Sequence, residues 1–481
     1  MVRFKTALLV ALLLGAAWLM LMNACGGGAT QSNSSPPPPP PPKIQHVVVI
    51  VQENRSTDNM FQDSVLIKRG ADIQNYGVNS KGVKVPLTPV PLAVYWDNSH
   101  THLSFLNMYD GGKMDGADLI PLDKCQNPCN PPPNRPFNYV QASDVQPYYT
   151  LAETYTFGDR MFQTNQGPSL PAHQFIISGT SAPTAPGKPD SNLFVAENQM
   201  GGPNPVVTGC FAAAGQYTLL IDPANPDPAT NETQKAFPCY DHPTLTDLLD
   251  NKGISWRYYA WAPGFLWSGP NAIQHICVPT PGTPNATACS GSIWQRSVVL
   301  NSPQVLTDIQ NGQLASVSWV TPSIPQSDHP GNLENNEGPG WVASIVNAIG
   351  ASSYWSNTAI IITWDDWGGW YDHVAPPVIN SYEYGFRVPL IVVSPYAKAA
   401  YVSHQVNDFG SILKFIEETF DLPTVAPGAS PPYADVLTNT GDLSDCFDFT
   451  QTPLTFHAVQ ARLDASYFIH DTRPPVNPDD D

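Results

Sequence analysis

Ile44-Gln45-His46-Val47-Val48-Val49-Ile50-Val51-Gln52-Glu53-Asn54 is an almost unbroken apolar run that ends in a carboxylate and an amide. β-Branched runs of this length are typical of parallel strands that are covered on both faces. Ligands bind beyond the carboxyl ends of such strands. The run therefore predicts a buried strand, with Glu53 and Asn54 at a functional edge of its sheet.

A second apolar run repeats this pattern far downstream. Thr358-Ala359-Ile360-Ile361-Ile362-Thr363 continues into Trp364-Asp365-Asp366, so carboxylates again follow a predicted strand. Carboxylate and amide oxygens are the ligands that hard divalent cations prefer. If the two strand ends lie side by side, they form a metal site.

The rest of the pattern predicts an α/β fold with one large domain. Only 13% of the 481 residues are charged and 42% are hydrophobic, which favours a sizeable core. Helical patterns over 244–253 and 409–420 alternate with apolar segments, which indicates a mostly parallel sheet flanked by helices. Long Pro- and Gly-rich insertions at 62–150 and 180–240 are expected to shape the site. The predicted strands are 46–51, 254–260, 316–320, 358–363 and 388–393.

The amino terminus has the pattern of an export signal. Arg3 and Lys5 precede an apolar stretch that runs to Met22, and the Ala24-Cys25 junction resembles a bacterial lipobox. We predict a signal peptide over 1–24 and a lipid anchor at Cys25. The alternatives are an ordinary cleaved signal and a membrane-spanning helix, although the apolar stretch is short for spanning.

The segment after Cys25 is predicted to be a tether. Residues 25–43 include seven consecutive prolines, which favour an extended polyproline II conformation. The main domain is expected over 44–450, followed by a C-terminal extension over 451–481. The expected location is the cell envelope, or the secreted fraction if Cys25 is not lipidated.

The charge of the chain excludes some classes of partner. The formal net charge is −19, and removal of residues 1–24 takes away Arg3 and Lys5 but no acid, which gives −21. This charge disfavours nucleic acid as a partner. It also disfavours adsorption to anionic membranes, so membrane contact is expected only through Cys25. An anionic substrate would need local positive charge, which a metal ion supplies.

The cysteines are spaced too irregularly for a zinc cluster, and export permits disulfides. Pairing each cysteine with its neighbour closes three short loops and leaves one cysteine over. The predicted pairs are Cys125–Cys129, Cys210–Cys239 and Cys277–Cys289, with Cys446 unpaired.

Ser169 has two interpretations. It stands in Gln166-Gly167-Pro168-Ser169-Leu170-Pro171, just before a helical pattern, and serine is a favoured helix N-cap residue. A serine in this position also faces backbone N–H groups that suit a phosphate, and a nearby cation would favour its alkoxide. The motif alone leaves a structural cap and a nucleophile equally open.

Several motifs together resemble a bacterial phosphoesterase family that holds phospholipases C and certain acid phosphatases, within the alkaline-phosphatase-like superfamily. The resemblance covers roughly residues 45–425, and its motifs follow the family's order. They are Glu53-Asn54-Arg55-Ser56, His100, Gly111-Gly112-Lys113-Met114-Asp115-Gly116, Gly167-Pro168-Ser169 with His173, Ser318-Trp319-Val320, Asp328-His329-Pro330, Asp365-Asp366, Gly368-Gly369, Tyr371-Asp372-His373-Val374 and Arg387-Val388-Pro389.

The resemblance implies a role for each candidate residue. The metal ligands would be Glu53, Asn54, Asp365 and Asp366, the nucleophile Ser169, and the phosphoryl-pocket residues His100, His329 and, as a weaker candidate, His275. The implied reaction is hydrolysis of a phosphate ester through a phosphoserine, with a divalent metal whose identity the sequence leaves open. We expect Asp372 and His373 to orient the ligands rather than to bind the metal.

The branch of the family is less clear from the residues. The phospholipase branch often has threonine as nucleophile, so Ser169 favours the acid phosphatases and phosphomonoester substrates. Phospholipase C activity on phosphatidylcholine-type diesters is the alternative. An inactive surface lipoprotein that binds phosphorylated ligands is the alternative from another class, and intact Ser169, Glu53, Asp365 and Asp366 argue against it. The sequence leaves the oligomeric state open.

Overall fold

A computed structural model of the chain describes residues 43–202, 207–437 and 440–474. The predicted signal peptide, the anchor residue Cys25 and the proline run of the tether lie outside the described residues. Among the helices within the described ranges, none is both long enough and apolar enough to cross a membrane.

An eight-stranded sheet forms the centre of the structure. Its strands are β1 (His46–Gln52), β2 (Thr156–Gly158), β3 (Trp256–Ala260), β4 (Val298–Leu300), β5 (Val317–Val320), β6 (Thr358–Trp364), β7 (Leu390–Val393) and β8 (Tyr401–Ser403). Their order across the sheet is β4-β3-β5-β1-β6-β7-β2-β8. Neighbours are parallel except where β7 runs antiparallel to β6 and β2. The predicted mostly parallel α/β sheet is therefore confirmed.

Strands β1 and β6 lie side by side in the middle of this sheet. Nearly every residue of both is buried, as expected for strands that helices cover on both faces. They pair in parallel with His46 opposite Thr358 and Gln52 opposite Trp364. Because the register is even along the whole length, the residues that follow the two strands emerge at the same edge.

Helices flank the sheet. The longer ones are α1 (His102–Tyr109), α2 (Ala142–Thr154), α3 (Ser169–Ser178), α4 (Leu245–Lys252), α5 (Gly338–Gly350) and α6 (Phe409–Phe420). The predicted helices over 244–253 and 409–420 are confirmed as α4 and α6. A capping box starts each of these two helices, at Thr244 and Asp408, and Gly253 ends α4 with φ +71°.

Shorter elements complete the described chain. The short helices are Thr57–Met60, Ser64–Lys68, Gln274–Cys277, Ser292–Ser297, Gln304–Gln310 and Ala465–Ile469. The 3-10 turns are Asp110–Gly112, Ala117–Leu119, Arg135–Phe137, Gly209–Phe211, Gly269–Ala272, Ser353–Asn357, Ala434–Val436 and Ser444–Cys446.

The two predicted insertions contain small sheets rather than only irregular loops. The three-stranded sheet consists of Phe194–Val195, Thr218–Ile221 and Gln234–Ala236. Two-stranded ribbons pair Tyr76–Val78 with Lys84–Pro86, Thr88–Val90 with Asn138–Val140, and Trp96–Asn98 with Leu122–Cys125; outside the insertions, Pro279–Thr280 pairs with Ala288–Cys289.

The predicted cysteine pairing is confirmed. Disulfides join Cys125 to Cys129, Cys210 to Cys239 and Cys277 to Cys289, and Cys446 is free and buried. Each disulfide closes a loop outside the central sheet.

The described part of the C-terminal extension packs on α5. The rings of Trp341 and Phe468 meet edge to face at 5.2 Å, and a Cβ added at Gly350 would lie 2.4 Å from the ring of Phe456. Residues 451–474 therefore add to the core rather than leaving the domain.

Candidate functional site

The carboxyl ends of β1 and β6 are joined by hydrogen bonds. The backbone N–H of Asn54 donates to Asp365 Oδ1 at 2.9 Å, and that of Asp365 donates to the Gln52 carbonyl at 2.9 Å. The backbone N–H of Arg55 donates to the Asp366 carbonyl, also at 2.9 Å. The structure thus brings together all four predicted metal ligands, because the two parallel strands end in register.

The backbone at this junction is unusually tight. Asn54 has φ +62°, a left-handed conformation that asparagine tolerates better than most residues. Opposite it, Gly368 has φ +60°, and a Cβ there would lie 2.2 Å from the Asn54 carbonyl oxygen. Only glycine meets both conditions at position 368.

Ser169 is the first residue of α3 rather than its cap. Pro168 occupies the N-cap position and no side chain caps this helix, so the capping interpretation of Ser169, one of the two that the motif left open, is not observed. The Ser169 hydroxyl instead donates to Asp366 Oδ2 at 3.1 Å, and the residue is fully buried. The helix start therefore turns this hydroxyl toward the acidic strand end.

His100 lies close to this serine–aspartate pair. His100 Nδ1 donates to the Asn98 carbonyl at 2.9 Å, so in the neutral ring Nε2 accepts from Asn54 Nδ2 at 3.0 Å. The same Nε2 lies 3.9 Å from Asp366 Oδ2. The structure therefore places His100 beside the Ser169–Asp366 pair.

The ring of His329 is held by stacking. It lies on Trp267 with the ring centres 5.6 Å apart and meets His100 edge to face at 6.5 Å. Its Nδ1 is 2.6 Å from the Pro330 carbonyl and 3.9 Å from Asp97 Oδ2. The two histidines thus form one wall of the site.

His173 is a site residue to which the sequence analysis gave no role. Its Nε2 lies 3.4 Å from Glu53 Oε1 and 3.8 Å from Asp365 Oδ2. Burial lowers the pKa of His173 to about 4, although the nearby Asp365 opposes that shift, so the ring is neutral at physiological pH. The signal was present in the sequence, because residues four apart share one face of a helix and Ser169 is four residues earlier.

These residues fit a divalent cation. Glu53, His173 and Asp365 are buried, and one ligand atom from each lies within 4.8 Å of the others. Within the described residues, Asp365 Oδ2, Asn54 Oδ1 and both ring nitrogens of His173 have no hydrogen-bond partner. A neutral imidazole and carboxylate oxygens suit several divalent metals. Buried polar atoms that the protein leaves unsatisfied indicate a ligand from outside.

The structure does not place His275 in this group. The residue stands on the short helix Gln274–Cys277, which the Cys277–Cys289 disulfide ties to a peripheral ribbon. Its Nδ1 is 2.7 Å from Asp241 Oδ1, and its Nε2 is 3.2 Å from Asp247 Oδ1. His275 serves local ion pairs, so its predicted place in the phosphoryl pocket is corrected.

Asp372 and His373 also differ from expectation. Arg387 donates to Asp372 at 2.8 Å, and His373 Nδ1 is 2.6 Å from Asp58 Oδ2. These contacts form a second buried cluster with Asp58 rather than a shell around the predicted metal ligands. Sequence proximity to Asp366 suggested the wrong neighbours, because the chain turns away after Gly368 and Gly369.

The chain is similar to known proteins in sequence and has distant structural neighbours. The sequence profile of the Phosphoesterase family matches residues 44–423. The hemolytic phospholipase C of Pseudomonas aeruginosa is 25% identical over 454 residues, which cover 83% of this chain and 55% of that protein. Phospholipase C B of Mycobacterium tuberculosis is 24% identical over 456 residues, which cover 84% of this chain and 78% of that protein.

The chain spans about half the length of the Pseudomonas relatives, since it covers 44% of the non-hemolytic phospholipase C of the same organism. Among solved structures, a protein in the alkaline phosphatase superfamily from Vibrio parahaemolyticus has a TM-score of 0.34 and 10% identity, over 79% of this chain and 66% of that one. Murine ectonucleotide pyrophosphatase/phosphodiesterase 5 has a TM-score of 0.34 and 8% identity, over 62% of this chain and 96% of that one.

The family profile covers most of the chain, including both strand ends, the Ser169 helix and both wall histidines. The chain therefore belongs to the Phosphoesterase family.

Proposed function

We propose that this protein hydrolyses phosphoric esters through a phosphoserine formed on Ser169, with a divalent metal ion beside it. The observation that carries the proposal is the buried Ser169 hydroxyl, 3.1 Å from Asp366 and next to carboxylate and imidazole atoms that fit a metal. Family membership supports the same reaction class.

The metal would be held by Glu53, Asp365 and His173, with Asn54 and Asp366 beside them. When bound, such an ion lowers the proton affinity of a neighbouring hydroxyl and neutralises charge on phosphoryl oxygens. Asp365 Oδ1 accepts hydrogen bonds from the backbone N–H groups of Asn54 and Asp366. The other carboxylate oxygen, Oδ2, would then be available to such an ion.

The protein's own residues account for the proton transfers. Ser169 Oγ attacks phosphorus in line as its proton passes to Asp366 Oδ2, to which it already donates. The ester P–O bond breaks, and a histidine of the pair His100 and His329 protonates the leaving alkoxide. Water then attacks the phosphoserine and gives a proton to the histidine that protonated the leaving group, while Asp366 returns its proton to Ser169 Oγ as the Ser169 O–P bond breaks, which releases inorganic phosphate and restores the Ser169 hydroxyl.

We propose phosphomonoesters as the preferred substrates. Serine as nucleophile and the negative charge of −19, which disfavours close contact with anionic bilayers, support this choice. Phospholipase C activity is the second candidate, because the Pseudomonas and Mycobacterium relatives carry that name. Comparison of kcat/KM for para-nitrophenyl phosphate and for phosphatidylcholine in mixed micelles decides between them, and a higher value for the lipid would favour the second candidate.

The mechanism is tested with Ser169→Ala. This variant is expected to lose turnover and to form no acid-stable phosphoprotein in a quench experiment, while its thermal transition stays near that of the wild type. Ser169 makes no capping hydrogen bond, so the variant loses only the side-chain hydrogen bond to Asp366. Near-normal activity in the variant would reject the covalent mechanism.

We propose that the protein is exported and anchored through lipid on Cys25. The Ala24-Cys25 junction supports this proposal, and the net charge of −21 after removal of residues 1–24 disfavours electrostatic adhesion to an anionic membrane, so a lipid chain would have to supply the attachment. Detergent should be needed to release the wild type, and Cys25→Ala should move the protein to the soluble fraction. A wild type that is already soluble would favour a plain secretory signal.

A further inference from the structure

Residues 196–198 leave the small strand Phe194–Val195 and pack directly on the turn that carries Ser169. A Cβ added at Gly167 would lie 2.2 Å from the Ala196 carbonyl oxygen, which also accepts a hydrogen bond from the Tyr382 hydroxyl at 2.8 Å. This segment belongs to an insertion, and no site residue was predicted in it. Its backbone is fixed against the nucleophile by these close contacts.

The side chain of Asn198 adds a hydrogen bond between this segment and the helix that begins at Ser169. Its Oδ1 accepts from the backbone N–H of Leu170, the residue after the nucleophile, at 2.8 Å. A backbone N–H can only donate, so the oxygen of the amide must face Leu170 and the NH₂ group must face away. The orientation of the Asn198 amide is therefore determined by its partner.

The NH₂ group of Asn198 is left unused by the protein. The residue is only 3% exposed, and Nδ2 has no hydrogen-bond partner among the described residues. A buried donor without a partner costs about 1–3 kcal/mol. Such a donor beside a nucleophile indicates an acceptor that arrives with the substrate.

The side chain of Glu197 joins the same segment to the start of α1. Its Oε1 accepts from the backbone N–H of His102 at 2.9 Å, two residues after His100. Glu197 and Asn198 thus contact the starts of two helices. Asn198 contacts α3, which begins at Ser169, and Glu197 contacts α1, which begins at His102. The Asn198 amide is therefore held at the first turn of the helix that begins at Ser169.

We infer that Asn198 Nδ2 donates a hydrogen bond to a non-bridging oxygen of the phosphoryl group, which makes Asn198 a catalytic residue. The inference rests on the proposed phosphoserine mechanism. Negative charge spreads over the non-bridging oxygens during transfer, and fixed neutral donors stabilise it without reorganisation.

The test is Asn198→Asp. Aspartate keeps an oxygen to accept from Leu170, but it replaces the N–H donor with a second oxygen that repels phosphate. The expected result is a fall in kcat/KM for para-nitrophenyl phosphate of about 10²- to 10³-fold, together with weaker inhibition by inorganic phosphate and a thermal transition within a few degrees of the wild type. Asn407→Asp is the matched control, because Asn407 is a buried amide, 1% exposed, whose Nδ2 donates to the Gln405 carbonyl outside the site.

The outcomes separate the two proposals. A wild type without phosphoester turnover would overturn the proposed function. An active wild type with unchanged kcat/KM and unchanged phosphate inhibition in Asn198→Asp would overturn the role of Asn198 alone, and so would an equal loss in Asn407→Asp. If Asn198→Asp does not fold, Asn198→Ala adds no charge and must still weaken phosphate inhibition at least tenfold.

Discussion

Two buried clusters in this protein have nearly the same composition and different partners. Glu53, Asp365 and His173 form one, and Asp58, Asp372 and His373 form the other. Each has two carboxylates and one imidazole. The difference lies in where the positive charge comes from.

The second cluster contains its own cation. Arg387 donates to Asp372 at 2.8 Å and lies 3.3 Å from Asp58, and all three side chains are fully buried. His373 bridges Asp58 and Asp72 through its two ring nitrogens, at 2.6 and 2.9 Å. The carboxylates of this cluster are therefore neutralised within the protein.

The first cluster differs in this respect. Among the described residues, no lysine or arginine pairs with Asp365, and His173 is neutral because burial lowers its pKa to about 4. Carboxylates buried without a counter-charge are costly. The comparison therefore teaches that the same residue types can form an internal ion-pair cluster beside an arginine or, where no lysine or arginine pairs with Asp365, a group that could hold a metal ion.

The largest effect is expected for the cluster of Glu53, Asp365 and His173. Glu53→Ala removes a proposed metal ligand and should lower kcat/KM by at least about 10³-fold, since metal charge stabilisation is worth several kcal/mol. Bound metal, measured by elemental analysis, should fall with activity, and Asp366→Ala should behave in the same way. Full metal content and full activity in both variants would refute the metal assignment.

The next effect concerns the cluster with its own cation. Arg387→Met leaves Asp58 and Asp372 buried without their partner and should cost about 3–5 kcal/mol in the free energy of unfolding. Urea titration of the metal-free wild type and variant measures this loss. Arg160→Met is the control, because Arg160 meets Asp72 at the surface and its loss should cost less than about 1 kcal/mol. Equal stability of the Arg387 variant and the wild type would remove the contrast between the clusters.

A smaller and pH-dependent effect is expected at His373. Burial, the largest single influence, lowers the pKa of His373, but the hydrogen bond with Asp58 and the negative charges of Asp58 and Asp372 together raise it above its ordinary value. Because the pKa of His373 is raised in the folded state, protonated His373 stabilises the fold. This stabilisation is fully present below the pKa of the unfolded state, near 6.5, and is lost as pH rises through the pKa of the folded state. His373→Gln should therefore cost about 1.5–3 kcal/mol at pH 6 and less at pH 9. A difference that is constant between pH 6 and pH 9 would contradict this account.

The smallest effect is expected for a third histidine with acidic neighbours. His275 pairs with Asp241 and Asp247 and its side chain is 30% exposed, so it needs neither a metal nor an arginine. His275→Ala should keep kcat/KM within about twofold, which is roughly 0.4 kcal/mol. A loss comparable to that of a His100→Ala variant would return His275 to the phosphoryl pocket.

The parts of the fold that follow from local pattern were predicted. The apolar runs of β1 and β6, and the acidic residues that follow them, predicted two neighbouring strand ends, and the register of these strands brings the ends together. Strand β7 was predicted at the right place, but its antiparallel direction was not, because an apolar run is the same pattern in either direction.

The rest of the site depends on contacts that no local pattern reveals. Asn198 comes from an insertion whose path over the Ser169 helix is set by packing against Gly167 and Tyr382. His275 was misplaced for the opposite reason, since motif order says little about a residue whose neighbours are fixed by a disulfide and two aspartates.

The C-terminal segment limits how the protein can be shortened for production. The family match ends at residue 423, yet Phe447 stacks on Phe415 of α6 at 4.9 Å and Phe468 covers Trp341 of α5. A recombinant fragment that stops at 423 would expose both aromatic faces to solvent, and exposed apolar patches promote aggregation. Expression of soluble enzyme therefore requires the chain to continue at least through Phe468, and an affinity tag belongs after that residue.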